Sequence, residues 1–377
     1  MKQRITLQDL KVGQPLPWDA YGADGVLLLR KGQSVQSQMA LERLIDEGLF
    51  LQRDDSSARP LDPAAAAEKP TAMQHLVDAR RSLGHICAHS PEQTLDFAGR
   101  MTKLIDSVQA ACDLHPALAM SSILLMHDTG YTVKHAIDTA ILACLLGREL
   151  ALDAAAQRAT IGAALTMNIG MFEVQDKVDA ITGALNDKLL AMIRQHPAHG
   201  AERLKRLGVA DAAWLACVRQ HHENSDGSGY PDGLAGDAIA IGARIIGIAD
   251  RYGAMVSSRA YHGPHKPNQA LRDLYLKQGQ QIDVTVAATL IRIVGIYPVG
   301  TLVRLKTAEI GVVTGPGESP DTPAVHAVIA KSGLFLEVAS YRKTHLPDSA
   351  IDEVITFDKL TTPVRMAHVW GKDARFR

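Results

Sequence analysis

The sequence predicts a mainly α protein: a helical central domain flanked by a small N-terminal α+β module and a small C-terminal β-rich module. Two observations carry this. From about residue 74 to 296, apolar residues recur at spacings of three and four, as in "HAIDTAILACLLGREL", the period of amphipathic and buried helices. From residue 297 onward the pattern changes to alternation between glycine turns, as in "GTLVRLKTAEIGVVTGPGE" and "AVHAVIAKSGLFLEV", which is the signature of antiparallel strands.

The elements follow in chain order. Residues 1–51 combine an Asp-Gly turn and a β-type run, "YGADGVLLLRKGQSV", with a helix, "SQMALERLIDEGLF", ending at Gly48. Residues 52–73 are rich in Pro, Ala, Ser and charge and read as a linker. In the helical domain, "NDKLLAMIRQHPAHGAERLKRLG" predicts a helix, a break at His-Pro, and a second helix stopped by Gly208, with "ERLKRLG" as a solvated face. "AIAIGARIIGIADRYGAMVSS" predicts a further buried helix. Cys144 and Met167 read as core residues.

Bulk properties limit the function classes. The chain has 377 residues, 46% apolar and 21% charged, with a formal net charge of −1. No global basic field attracts nucleic acid or anionic lipid. The four cysteines are widely spaced with no C-x-x-C pair, so neither a disulfide scaffold nor a zinc ribbon is expected. "TAILACLLG" is far shorter than the ~18 residues of a membrane span, and "MKQRITLQDLKVGQ" has no secretory h-region. The expectation is a soluble cytoplasmic protein.

The chemistry concentrates in "HHENSDGSGYPDG", His221 to Gly233. Imidazoles and carboxylates suit first-row transition metals. Adjacent histidines diverge by about 100° on a regular helix and cannot share an ion there, but at a helix C-terminus both can face one cavity. His135, His196 and Asp250 are the further candidates within the helical domain.

Together these stretches resemble the HD-GYP family, an all-α branch of the HD phosphohydrolases that hydrolyses cyclic di-GMP. "HHENSDGSGYP" matches the family's HHExxDGxGYP at every fixed position. "YTVKHAIDTA", "RQHPAHG", "IIGIADRYGAMVSSRAY" and "GIYPVGTLVRL" resemble its other motifs. The family's naming His-Asp pair, in a stretch like HDIGK, is replaced here by "MNIGM": Met167 and Asn168 stand at the pair and Met171 at the lysine. His127-Asp128 is a second His-Asp dipeptide without the following Ile-Gly-Lys and reads as a surface coincidence.

The resemblance implies a degenerate two-metal site. The family's aspartate bridges two cations, which repel strongly at ~3.5–4 Å unless an anion lies between them. Asn168 is neutral and Met167 offers a soft thioether, so no catalytic pair is intact. His196, His221 and His222 are implied as ligands of one metal, and His135 and Asp250 as what remains of the other site. The expected cofactor is at most one Fe, Mn or Zn ion, and a two-metal centre is not expected. Gly229, Tyr230, Pro231 and Arg259 are implied as ligand-contacting residues, with signalling proteins as partners at the Gly-Tyr-Pro loop.

The resulting expectation is a cyclic di-GMP signalling protein, a receptor or interaction module with little or no hydrolysis. The alternative is a residual metal-dependent phosphodiesterase acting on cyclic di-GMP or its linear product, with Glu173 or Asp176 supplying a compensating carboxylate. A phosphohydrolase for another nucleotide is a third reading.

Overall fold

The computed structural model describes residues 69–377 except 128, 180, 182–185, 258–264, 277–279, 361–362 and 377, and before them residues 2–4, 13–14, 16, 20–21, 27–29, 33 and 50–52. The chain divides into two compact units, Met1–Lys69 and Pro70–Arg377.

In the first unit, strands β1 (Lys2–Arg4), β2 (Ala20–Tyr21), β3 (Leu27–Leu29) and β4 (Phe50–Gln52) form an antiparallel sheet in the order β1-β4-β2-β3. The expected strand after the Asp-Gly turn is therefore present as β3. The expected helix ending at Gly48 and most of the linker lie outside the described residues.

The second unit is predominantly helical. Its helices are α1 (Ala72–His89), α2 (Phe97–Leu114), α3 (Pro116–Leu125), α4 (Tyr131–Glu149), α5 (Ala154–Thr166), α6 (Phe172–Asp179), α7 (Asp187–Arg206), α8 (Ala212–Gln220), α9 (Ile241–Val256), α10 (Pro267–Leu276), α11 (Val284–Val294) and the short α12 (Met366–Trp370). Several begin at polar caps that satisfy an otherwise orphaned backbone N–H. Asp153 accepts from the Ala156 amide, Asn186 from Leu189, Asp211 from Trp214 and Asp283 from Val286.

Helix α4 lies at the centre, with Ile137, Ala140, Ile141, Leu142, Ala143 and Cys144 all inaccessible. That explains its broad apolar pattern, since a helix covered on every side has no polar stripe. No single helix among the described residues is long and apolar enough to cross a membrane.

One expectation fails. The His-Pro dipeptide does not break the chain: α7 runs without interruption from Asp187 to Arg206, with Pro197 inside it. An interior proline costs about 3 kcal/mol, yet α7 carries it through, and the carbonyl it leaves unpaired has a use described below.

Strands β5 (Leu302–Leu305), β6 (Ile310–Gly315), β7 (Ala324–Ile329), β8 (Phe335–Lys343) and β9 (Ile351–Ile355) form an antiparallel sheet in the order β8-β7-β6-β5-β9. Period-two alternation sends Leu302, Val312, Val328 and Ile355 into the same core as the helices. Val303, Val313, Val325 and Val354 form a second, smaller core on the other face.

Candidate metal centre

Helices α7 and α8 each deliver a histidine by using a carbonyl that helix geometry leaves unpaired. Proline has no N–H, so Pro197 cannot bond the Ile193 carbonyl one turn back. His196 Nδ1 donates to that carbonyl instead, at 2.6 Å. The Val218 carbonyl lies in the last turn of α8, where carbonyls lack intrahelical donors, and His221 Nδ1 donates to it at 2.6 Å.

A carbonyl can only accept, so in both rings Nδ1 holds the proton and Nε2 presents a bare lone pair. The two Nε2 atoms face each other at 3.2 Å. Two acceptors at that distance repel unless a cation lies between them. His222 completes the group: one ligand nitrogen from each of His196, His221 and His222 lies within 4.8 Å of the others. Carbonyl-anchored imidazoles converging on one point are the usual arrangement around a bound transition metal, and this donor set fits such an ion.

Electrostatics keeps the rings in their ligating, neutral form. Burial, reinforced by the neighbouring His222, holds His196 down at about 3. Burial likewise pushes His221 well below the ordinary histidine value, with His222 and His196 adding to the effect. His222 is lowered too, by burial against an opposing pull from Asp250.

The adjacent pair His221-His222 sits just past the end of α8, as the sequence required, and the loop that follows is held from within. Glu223 accepts three backbone amides, from Asp232 (2.7 Å), Gly233 (3.1 Å) and Leu234 (3.0 Å). Arg219 grips Asp232 with two hydrogen bonds of 2.7 and 2.6 Å. Gly229 is required by contact: a Cβ there would lie 2.4 Å from the Asn224 amide nitrogen. The folded loop lays the Tyr230 ring beside the His222 ring, with centroids 4.8 Å apart.

The candidates for a second metal are arranged differently. His135 on α4 and Asp250 on α9 bond one another, Nε2 to Oδ1, at 2.6 Å. Asp250 Oδ2 stands 4.0 Å from His222 Nδ1. Burial alone would raise the Asp250 carboxyl, but the hydrogen bond and charge of His135, with His222 and His221, hold it far below the usual carboxylate range. Asp250 thus borders the three-histidine group through Oδ2, while Oδ1 is engaged by His135.

Met167 and Asn168 are both buried, directly after α5. The next two residues pack on α7 beside His196: a Cβ on Gly170 would come within 2.3 Å of the His196 carbonyl oxygen. The Ile169-Gly170 turn therefore brings Met167 and Asn168 alongside α7.

Several expectations need correction. Glu173 does not supply a compensating carboxylate, because Arg203 binds it together with Glu92 at the exposed side of α7. The same Arg203 donates to the Ile169 carbonyl at 2.6 Å, so "ERLKRLG" is not simply a solvated face. His127 does not lie at the surface. It is part-buried, bonds the Leu124 carbonyl at 2.9 Å and stacks on Phe357, with ring centroids 3.6 Å apart. The Asp176 side chain, Asp128 and Arg259 lie outside the described residues.

Sequence reasoning missed Glu223, Arg219 and Arg203 as organisers of the site. Glu223 was legible in part, as an acid preceding a glycine-rich turn with many free amides. Arg203 was not, since its partners are distant in the chain.

Comparison with known proteins agrees with this architecture. Residues 118–286 match the HD domain family. A solved structure of an HD-GYP-type protein from Bdellovibrio bacteriovorus superposes with a TM-score of 0.50 at 17% identity, covering 78% of this chain and 99% of that one. Among curated relatives, a cyclic di-GMP phosphodiesterase of Pseudomonas aeruginosa is 34% identical over 62% of this chain and 56% of its own length. A 3'3'-cGAMP-specific phosphodiesterase of Vibrio cholerae is 31% identical over 37% of this chain and 32% of its own length. The chain spans about half the length, or less, of the curated relatives it matches. Over residues 118–286 the chain thus matches the HD domain family, and its histidine and Gly-Tyr-Pro stretches are similar to those of HD-GYP proteins.

Proposed function

We propose that this protein is a cyclic-dinucleotide signalling component that binds one transition-metal ion at His196, His221 and His222 and hydrolyses its ligand slowly or not at all. The assembled three-histidine group beside a His135–Asp250 pair that bonds itself supports this reading most directly. Fe, Mn and Zn all accept imidazole, and the bound ion supplies positive charge for a phosphate oxygen. With neutral Asn168 at the bridging position, a second cation nearby has no shared anion to offset repulsion. Cyclic di-GMP or its linear product is the expected ligand, by analogy with the relatives. The Gly229-Tyr230-Pro231 loop and Arg259 are read as ligand-contacting residues by the same analogy. The flanking modules are read as regulatory.

A residual phosphodiesterase remains the second reading, favoured by Asp250 at 4.0 Å from His222, where a carboxylate can accept a proton. Metal analysis of protein purified without chelators, followed by titration with cyclic di-GMP, separates the two. One ion per chain and ligand binding without linear product are expected. Two tightly held ions, or turnover on the order of 1 per second, would overturn the proposal.

A further inference from the structure

One arginine beside the histidines lacks the partner that comparable arginines have. Among the described residues, every other buried or half-buried arginine forms an ion pair with a carboxylate, as Arg203, Arg219, Arg244 and Arg342 do. Arg251, half-buried on α9 directly after Asp250, forms none with any described residue.

Its Nη2 donates to the side-chain oxygen of Asn224. Asn224 in turn donates to Ser228 Oγ at 2.9 Å. The guanidinium is thereby held on the loop that lays Tyr230 beside His222. Its Nε and Nη1 have no partner among the described residues, and they reach solvent. The charge is felt by both rings. Burial and then Arg251 lower His222, against the pull of Asp250. Burial and Asp250 raise the Tyr230 hydroxyl, and Arg194 and Arg251 pull it back down.

Burial also lowers Arg251 itself from the ordinary arginine value, because a desolvated cation is costly without an opposite charge. Guanidinium N–H groups can only donate, so what Arg251 lacks is an acceptor. A phosphate oxygen supplies both the acceptor and the negative charge. An arginine charge is held covalently and needs no bridging anion, unlike a second cation beside neutral Asn168.

We propose that Arg251 is a phosphate-binding residue of the histidine site, donating through its free N–H groups to a phosphate oxygen of the bound nucleotide. The inference rests on the nucleotide reading given above and adds a residue to it.

The test is calorimetric titration of the full chain, loaded with one Zn per chain, with cyclic di-GMP and separately with GMP, over a range of NaCl concentrations. Arg251→Met removes the charge and keeps the length of the side chain. It is expected to bind roughly 10- to 100-fold more weakly than the parent, as charged hydrogen bonds imply, and to lose affinity less steeply as salt is added. A residue that only held Asn224 would weaken binding without changing its salt dependence. A second measurement leaves the parent side chain in place: its Arg251 Nε–H signal in 15N spectra, assigned by its absence from Arg251→Lys, is expected to move on adding GMP. Equal affinity or equal salt dependence in parent and Arg251→Met, or a signal that stays in place, overturns the proposal while cyclic di-GMP binding by the parent keeps the nucleotide reading. GMP binding that needs Arg251, with cyclic di-GMP not bound, upholds the role of Arg251 and overturns the cyclic-dinucleotide reading. Binding of neither overturns both.

Discussion

Replacing Pro197 with alanine should move stability and metal affinity in opposite directions. The substitution returns an N–H to the middle of α7, directed at the Ile193 carbonyl that now receives only His196 Nδ1. An interior proline costs a helix about 3 kcal/mol relative to alanine. Part of that gain is lost because alanine frees the unfolded chain, an effect of about 0.4–1 kcal/mol. A net stabilisation of about 2 kcal/mol is therefore expected for the metal-free protein. The same new N–H competes for the carbonyl that fixes the tautomer and direction of His196. Loss of such an outer anchor typically weakens metal binding ~10–100-fold, or about 1.4–2.7 kcal/mol. Urea unfolding in EDTA reads the first quantity, and competition for Zn with a chromogenic chelator reads the second. A variant that binds Zn as tightly as the parent would refute the role assigned to the proline. So would one that is less stable without metal, since α7 would then depend on proline for some other reason.

Glu223→Gln should loosen the loop from Asp226 to Ala235, because a neutral amide replaces the carboxylate that accepts three backbone amides; a loss of about 2 kcal/mol and faster hydrogen exchange at residues 232–234 are expected. In EDTA, acid should unfold the protein beginning at mild pH. The folded histidines are held below their ordinary value of 6.5, His196 at about 3, so the unfolded chain takes up protons that the folded chain resists. Their contribution is complete above pH 6.5 and is lost progressively as pH falls, that of His196 until about 3, at up to ~1.4 kcal/mol per pH unit for each group; an acid titration that stays flat below pH 6.5 would contradict the assigned burial. The double change Met167→His, Asn168→Asp should raise bound metal from one ion toward two per chain and bring measurable hydrolysis of cyclic di-GMP. Metal content that stays at one would place the defect elsewhere.

The legible parts of the fold were those written in local periodicity. Helix α4 and strands β5 to β7 follow from spacing alone, because a side chain's burial repeats every 3.6 or 2 residues. The His-Pro site was misread for a local reason: proline is a breaker in most sequences, and only the packing of α7 shows it enclosed in one helix. Glu173 was misread for a non-local one, since Arg203 stands 30 residues away in the chain and binds Glu92 from 111 residues away.

By itself the sequence determined the donor inventory: the imidazoles of His196, His221 and His222, the His135 and Asp250 side chains, and a neutral amide at Asn168. Those are properties of residue identity, and folding cannot add a charge that the chain lacks. The tertiary structure decided how the donors are used. It aimed two Nε2 lone pairs at one point through carbonyls freed by a proline and a helix end, and it bonded Asp250 to His135. Direction and tautomer depend on which carbonyl lies within reach, and that is fixed only when the helices pack.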